Sequence, residues 1–270
     1  IPLAALKYDY AFRDQFYGVK LFYNCHFEPW FYFDNMPEEV ACARKLIKDN
    51  RLLLIALRPD MAETLNQKFG VTNTVVIRNG IDFDRFKNLK QTREEVRNSL
   101  SISESSFVVG HIGRFNEQKN QSFLVDVFAN IKKKKHDSIL LMIGVGDDEE
   151  KIRRKIRDLC LEDSVIILSH RTDIPELLHA MDVFVFPSLF EGLGIVLVEA
   201  QVVGLRCVVS DTINREVFLT DLVIPLSLSD SVEKWAEVAL NSTTEEIRKN
   251  RLSEYDVKKS VKELEQLYLS

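Results

Sequence analysis

Two cations and two carboxylates stand in this chain where their spacing could do chemistry. Arg114 and Lys119 bracket the turn GRFNEQK, between an apolar run and a predicted helix with the stripe Phe123, Leu124, Val127, Phe128 and Ile131, capped by Asn120. Cations at a helix N-terminus add to its free N–H groups and positive dipole end, and the arginine fork suits phosphate. The turn therefore reads as an anion site, with plain surface solubility as the alternative.

The carboxylates lie in PSLFEGLGIVLVEA, Pro187 to Ala200. Glu191 sits in a loop before a Gly-Leu-Gly step. If a helix starts near Gly194, the helical neighbours of Glu199 are Ile195, Val196, Val202 and Val203, all apolar. A carboxylate on such a face needs a partner or a shifted pKa, and a ligand hydroxyl is one candidate partner. Solvent or a backbone cap is the other.

Further candidates lie at strand ends. His26 follows the apolar run Val19–Cys25, at the carboxyl end where ligands collect in open parallel sheets. The loop SHRTD places His170 and Arg171 at a similar position. Phe27 to Phe33 holds five aromatics in seven residues, for core packing or for an exposed face toward a lipid or sugar. KKKK at 132–135 reads as a solvated helix end, and Gly144 with Gly146 as a turn.

These residues need a scaffold of alternating strands and helices. Before residue 84 the expected order is a helix over Leu3–Phe16, then strands at Val19–Cys25, LLLIAL and TVVIRN. Helices PEEVACARKLIKDN and RPDMAETLNQKFG fall between them, the second stopping at Gly70. A polar, charged stretch after Asn79-Gly80-Ile81-Asp82 marks a boundary near 84, and the Asn-Gly pair there tolerates the positive φ that a crossing between domains can need. Six more strands follow: FVVGHIG, SILLMIG, SVIIL, DVFVF, LRCVVS and LVIPL. Final helices are expected over Ser231–Asn241, Thr244–Leu252 and Tyr255–Leu269. This is an α/β pattern with parallel sheets covered on both faces.

Composition sets outer limits. With 270 residues, 46% hydrophobic and 29% charged, the chain is globular in type, and a net charge of −5 does not favour nucleic acid as a partner. Four scattered cysteines fit neither a zinc site nor a disulfide scaffold, so a reducing cytoplasm is the expected compartment. No apolar run approaches the ~18 residues of a membrane span, which leaves peripheral association with the inner face of a membrane. The chain lacks an initiator Met, consistent with a start inside a longer protein.

GRFNEQK, the strand–SHRTD–helix–DVFVFPS series, EGLGIVLVEA, NGID at the crossing and a His at an N-terminal strand end together resemble family 4 (group 1) glycosyltransferases, closest to bacterial capsular and exopolysaccharide enzymes. The resemblance implies a GT-B fold, two Rossmann-like parallel-sheet domains facing across a cleft. It implies an acceptor-side domain at 1–84 that lacks several N-terminal βα units, a nucleotide-sugar domain at 85–254, and a C-terminal helix at 255–270 packing back toward the first. It further implies a hexosyltransferase that moves a sugar, with retention, from a nucleotide-diphosphate sugar, with UDP the expected nucleotide, to a glycan or lipid-linked acceptor.

On that resemblance Arg114 and Lys119 hold the diphosphate, Glu191 and His26 face the sugar, and Glu199 takes the ribose hydroxyls. Gly113, Gly192, Leu193 and Gly194 line the donor, with His170 and Arg171 bordering the base. No cofactor or metal is implied, and the chain is read as lacking the DxD motif of metal-using transferases. A nucleotide-sugar-binding accessory subunit and a GT-B sugar-nucleotide epimerase are the competing readings.

Overall fold

The structure is a computed structural model that describes residues 10–11, 20–26, 33–241 and 250–269. The chain divides into two compact units, residues 1–80 with 257–270, and residues 81–256. The division falls at Gly80 rather than where the polar stretch begins, because Ile81 donates its N–H to Tyr255 O (2.8 Å) inside the second unit.

In the first unit, strands β1 (Leu21–Cys25), β2 (Leu52–Ala56) and β3 (Val75–Val76) form a parallel sheet in the order β1-β2-β3. Helix α1 (Pro37–Lys48) has proline in its first turn, then Glu38 and Glu39, and ends on Lys45 and Lys48, as its dipole favours. Helix α2 (Pro59–Phe69) stops at Gly70, whose left-handed φ of 70° glycine adopts with no Cβ penalty. Val40, Ala43 and Leu46 of α1 meet Leu52 and Leu54 of β2 and Met61 and Leu65 of α2 in one apolar core. The helix expected over Leu3–Phe16 lies outside the described residues except at Tyr10 and Ala11, which are helical. Most of the aromatic run from Phe27 also lies outside them.

Gly80 does not use the positive-φ freedom of its Asn-Gly pair. Its φ is not positive; a Cβ there would stand 2.4 Å from Val257 Cα, so the constraint is close backbone approach. The polar stretch after it also differs from a plain connection. It contains helices α3 (Phe83–Lys87) and α4 (Arg93–Ser99), the latter opened by a reciprocal capping box between Thr92 and Glu95.

The second unit holds six parallel strands: β4 (Phe107–Ile112), β5 (Ser138–Ile143), β6 (Val165–Leu168), β7 (Val183–Phe186), β8 (Arg206–Ser210) and β9 (Val223–Leu226). Their order, β6-β5-β4-β7-β8-β9, is the doubly wound order, which reverses between β4 and β7. The helices are α5 (Gln121–Lys134), α6 (Glu149–Asp158), α7 (Ile174–His179), α8 (Ile195–Val202) and α9 (Val232–Leu240). Two apolar layers sandwich the sheet, one around Phe184, Phe186, Leu197 and Val209, the other around Val109, Leu124, Phe128 and Trp235. The segment expected as the helix Thr244–Leu252 is described only from Asn250. The last helix, α10 (Val257–Leu269), belongs to the first unit. Among the described residues no helix is long and apolar enough to cross a membrane.

One core residue escaped the sequence reading. His111 on β4 is fully buried, its Nδ1 3.0 Å from Val185 O, its ring stacked on Phe184. The carbonyl can only accept, so Nδ1 carries the proton and Nε2 accepts from Gln121 Nε2 at 3.4 Å. Burial pushes the imidazole down from 6.5 to about 4, keeping it neutral. The unfolded chain therefore binds a proton that the folded one refuses between these values. The resulting stability is complete above about pH 6.5 and is lost as pH falls toward 4. We expect urea titrations to give about 3 kcal/mol more pH-dependent loss over that window in the wild type than in His111→Gln; equal slopes would contradict this account.

Candidate functional site

The reversal between β4 and β7 leaves a crevice at their carboxyl ends, where neighbouring connections depart to opposite faces. The loop after β4 carries Gly113, Arg114 and Lys119; the loop after β7 carries Pro187 to Gly194. Both carboxyl-terminal turns are tied together across the gap. Leu189 N–H donates to Gln118 O (2.8 Å), Gln118 Nε2 to Phe190 O (2.9 Å) and Asn120 Nδ2 to Pro187 O (3.2 Å). Asn120 therefore does not cap α5 as expected: it stands at the N-cap with φ 53°, but its side chain serves the opposite loop. Asn116 instead caps the short 3-10 turn Glu117–Lys119 that precedes α5, accepting the Lys119 N–H at 3.1 Å.

Lys119 and Glu191 form the centre of this arrangement. Nζ lies 2.6 Å from Glu191 Oε1 and 4.8 Å from the centroid of the Phe186 ring, with side chains only 15% and 7% exposed. The lysine stem crosses Gly113, where a Cβ would come within 3.1 Å of Cδ. Arg114 behaves differently. Its carbonyl is fixed by Gln121 Nε2 at 2.8 Å, while its guanidinium is exposed and has no partner among the described residues. The geometry thus offers one free, forked cation beside one buried cation shared with a carboxylate.

The glycines after β5 are more than a turn. A Cβ at Gly144 would lie 2.1 Å from Gly113 O, and one at Gly146 would lie 2.2 Å from Phe115 O. The close approach permits Gly113 N–H to reach Ile143 O (3.0 Å) and Phe115 N–H to reach Val145 O (3.1 Å), which fixes the backbone on either side of Arg114.

On the β7 side, Gly194 adopts φ 64° and starts α8 with no side-chain cap, leaving first-turn N–H groups open to an anion. Leu193 packs on the core and Gly192 is half-buried. Five residues into this segment from Gly194, Glu199 is half-buried on the apolar face expected for it. Its carboxylate has no hydrogen-bond partner among the described residues, and burial raises its pKa, opposed by the charge of Arg85. The partner demanded by its surroundings is not supplied by the described chain.

At the end of β6, His170 is exposed, whereas Arg171 is clamped in a two-pronged ion pair to Asp173, Nε to Oδ1 at 2.7 Å. His26, in the other unit, is exposed just past β1. The reading that no DxD pattern occurs needs correction, since Asp82-Phe83-Asp84 is such a triplet. Its first carboxylate accepts the Asp84 N–H (3.0 Å) and caps α3, a local structural use. Among the described residues no group of three His, Cys, Asp or Glu could hold a metal. Arg85, one residue on, was missed; nothing in its spacing marks it.

Comparisons with known proteins bear on this unit above all. The family model for glycosyl transferases group 1 matches residues 92–256. The Bacillus subtilis (strain 168) protein EpsF, whose name gives glycosyltransferase only provisionally, is 36% identical over 200 residues, covering 72% of this chain and 51% of that protein. An Escherichia coli UDP-Gal:alpha-D-GlcNAc-diphosphoundecaprenol alpha-1,3-galactosyltransferase is 28% identical over 206 residues, 72% of this chain and 53% of its own. The chain spans about half the length of these relatives. The crystal structure of HepE from Anabaena, in complex with UDP and glucose, superposes with a TM-score of 0.78 at 22% identity over 100% of this chain and 76% of that one. This is a likeness of fold, the GT-B class with two parallel-sheet units.

Removing one member of the Lys119–Glu191 pair leaves a desolvated charge. Glu191→Ala should cost about 3 kcal/mol of folding stability, and Lys119→Met with Glu191→Leu together less than either single change, both read by urea denaturation. Additive losses in the double variant would show that the two side chains do not act as a pair.

Proposed function

The chain belongs to the glycosyl transferases group 1, and from that premise we propose that it carries the donor site of a retaining hexosyltransferase. The donor is a nucleotide-diphosphate sugar, UDP in our reading, and the acceptor a glycan or lipid-linked sugar in polysaccharide assembly. The observation that carries this reading is the pairing of an unpartnered guanidinium, Arg114, with an unpartnered carboxylate, Glu199, on segments that leave the same sheet edge. One suits phosphate; the other suits sugar hydroxyls.

In this reading the diphosphate lies between Arg114, Lys119 and the Leu193 and Gly194 amides, and Glu199 accepts hydrogen bonds from the ribose. The base borders His170 and the backbone after it, since the Arg171 guanidinium is already committed to Asp173. Glu191 faces the donor sugar while holding Lys119. No metal or cofactor takes part in this reading. The bond from sugar C1 to the phosphate oxygen breaks, its electron pair leaving with the nucleotide. The acceptor oxygen bonds to C1 on the same face, and its proton passes to the departing phosphate. Arg114 and Lys119 stabilise the charge that grows there.

Nucleotide release by the full-length protein, assayed with a panel of nucleotide sugars and polysaccharide acceptors, tests the proposal; absence of turnover and of binding with every donor would overturn it. An epimerised donor formed without acceptor would assign the site to an epimerase, and activity appearing only with a partner protein would assign it to an accessory subunit. We expect Glu199→Ala to weaken UDP binding by about 1–3 kcal/mol in calorimetry, through a lost charge-assisted hydrogen bond. For Arg114→Ala the fall in kcat should exceed the loss of ground-state donor affinity, because the charge it meets develops in the transition state. Equal losses would make Arg114 a simple anchor.

A further inference from the structure

Four consecutive side chains, Gln118 to Gln121, each reach out of their own turn to hold a loop of the candidate site. Gln118 Nε2 donates to Phe190 O (2.9 Å), Lys119 Nζ to Glu191 Oε1 (2.6 Å), Asn120 Nδ2 to Pro187 O (3.2 Å) and Gln121 Nε2 to Arg114 O (2.8 Å). Leu189 N–H adds a main-chain bond to Gln118 O (2.8 Å). Three of the four thus grip the loop after β7 between Pro187 and Glu191, and the fourth grips the loop after β4 at Arg114. From the β8 side, Thr212 Oγ1 donates to Ser188 O (3.1 Å), so the β7 loop is held on both flanks.

A regular helix cannot aim three successive side chains at one loop, because each residue turns the next by about 100°. Here it is possible because Asn120 ends the 3-10 turn Glu117–Lys119 and starts α5 at once, with φ 53° and ψ 40°. L-residues rarely adopt that left-handed conformation, and asparagine is among the few that tolerate it. Helix capping would explain a polar residue at this position, but the side chain makes no cap bond. Pro187 O can only accept, so the amide nitrogen faces it, and a carboxylate in its place could not make the bond. The residue type therefore meets two requirements, a left-handed backbone and a donor aimed at Pro187 O.

We propose that Asn120 is a positioning residue for the diphosphate half of the donor site, the pivot of a bracket that sets the two loops at the spacing a diphosphate bridges. The inference rests on the donor reading above and deepens it. Arg114 and Lys119 belong to one side of the bracket, Glu191 and the uncapped first turn of α8 to the other. Without the Asn120–Pro187 bond, the β7 loop keeps its ties to Gln118 and Lys119 but loses the one nearest the strand. Groups on both sides must meet one ligand together, and for such contacts a misplacement of about 1 Å is costly. Glu199 is carried by α8, whose Leu197 and Val198 are buried in the core, so the nucleoside contacts do not depend on the bracket.

Calorimetry with UDP and with UMP on the full chain, alongside urea denaturation, tests this. Asn120→Gly keeps the left-handed backbone at no Cβ penalty and removes only the amide, so the urea midpoint should move little. Its affinity for UDP should fall about tenfold, while that for UMP stays within about twofold of wild type. Gln118→Met, which keeps the main-chain bond to Leu189 and loses the one to Phe190, should show the same selective loss. Should Asn120→Gly fail to fold, Gln118→Met decides by the same reading. UDP and UMP affinities that fall together, or a UDP affinity unmoved in these variants, overturn this proposal alone and reduce the bracket to a structural contact. A wild-type chain that binds no UDP, or binds it no more tightly than UMP, overturns the donor reading and this proposal with it.

Discussion

The ion pair between Lys119 and Glu191 spans the gap that the sheet topology opens between β4 and β7, and the rest of the site is arranged around it. Three neutral hydrogen bonds already join the same two loops, from Leu189, Gln118 and Asn120. The loops therefore do not need a desolvated charge pair as a latch, and apolar side chains of similar size would hold them as well. A cation is kept there at a desolvation cost, beneath an uncapped helix end and beside an unpaired arginine. That combination is expected of a place where an anion arrives, because a lysine held within reach needs little reorganisation when it does.

The pair also fixes what Glu191 and Glu199 can each do. Glu191 is 7% exposed and already answered by a cation. Glu199 is half-buried and answered by nothing closer than the screened charge of Arg85. Two carboxylates from one loop and helix thus sit in opposite electrostatic settings, so they do not form a matched acid and base. The buried His111 fits the same pattern, since desolvation, with the charge of Lys119 acting in the same direction, keeps it neutral.

Much of the fold is legible in the sequence because its signals are local. Each strand among the described residues corresponds to an apolar run, and Gly70 announces the end of α2. The capping box Thr92–Glu95 was equally readable, yet it lies in a stretch whose polarity suggested mere connection. What could not be read were relations across the chain. Gly80, Gly144 and Gly146 are demanded by backbones that approach from Val257, Gly113 and Phe115. Asn120 looks like a cap and acts as a bridge because Pro187, 67 residues away, offers a carbonyl. Arg171 looks free in sequence and is spent on Asp173 two residues on.

The same distinction explains the status of the candidate site. Spacing alone places Arg114, Lys119, Glu191 and Glu199 near strand ends, but their charges only acquire different meanings through partners that spacing does not specify. Lys119 gains one, while Arg114 and Glu199 gain no hydrogen-bond partner among the described residues. For the half-buried Glu199 an unsatisfied carboxylate is costly and therefore informative, whereas the exposed Arg114 is informative through its open fork at the same sheet edge. Arg114 and Glu199 present opposite charges with open hydrogen-bonding capacity on one sheet edge. Under the donor reading proposed above, the ligand that satisfies both carries an anion at one end and hydroxyl donors at the other, as a nucleoside diphosphate does.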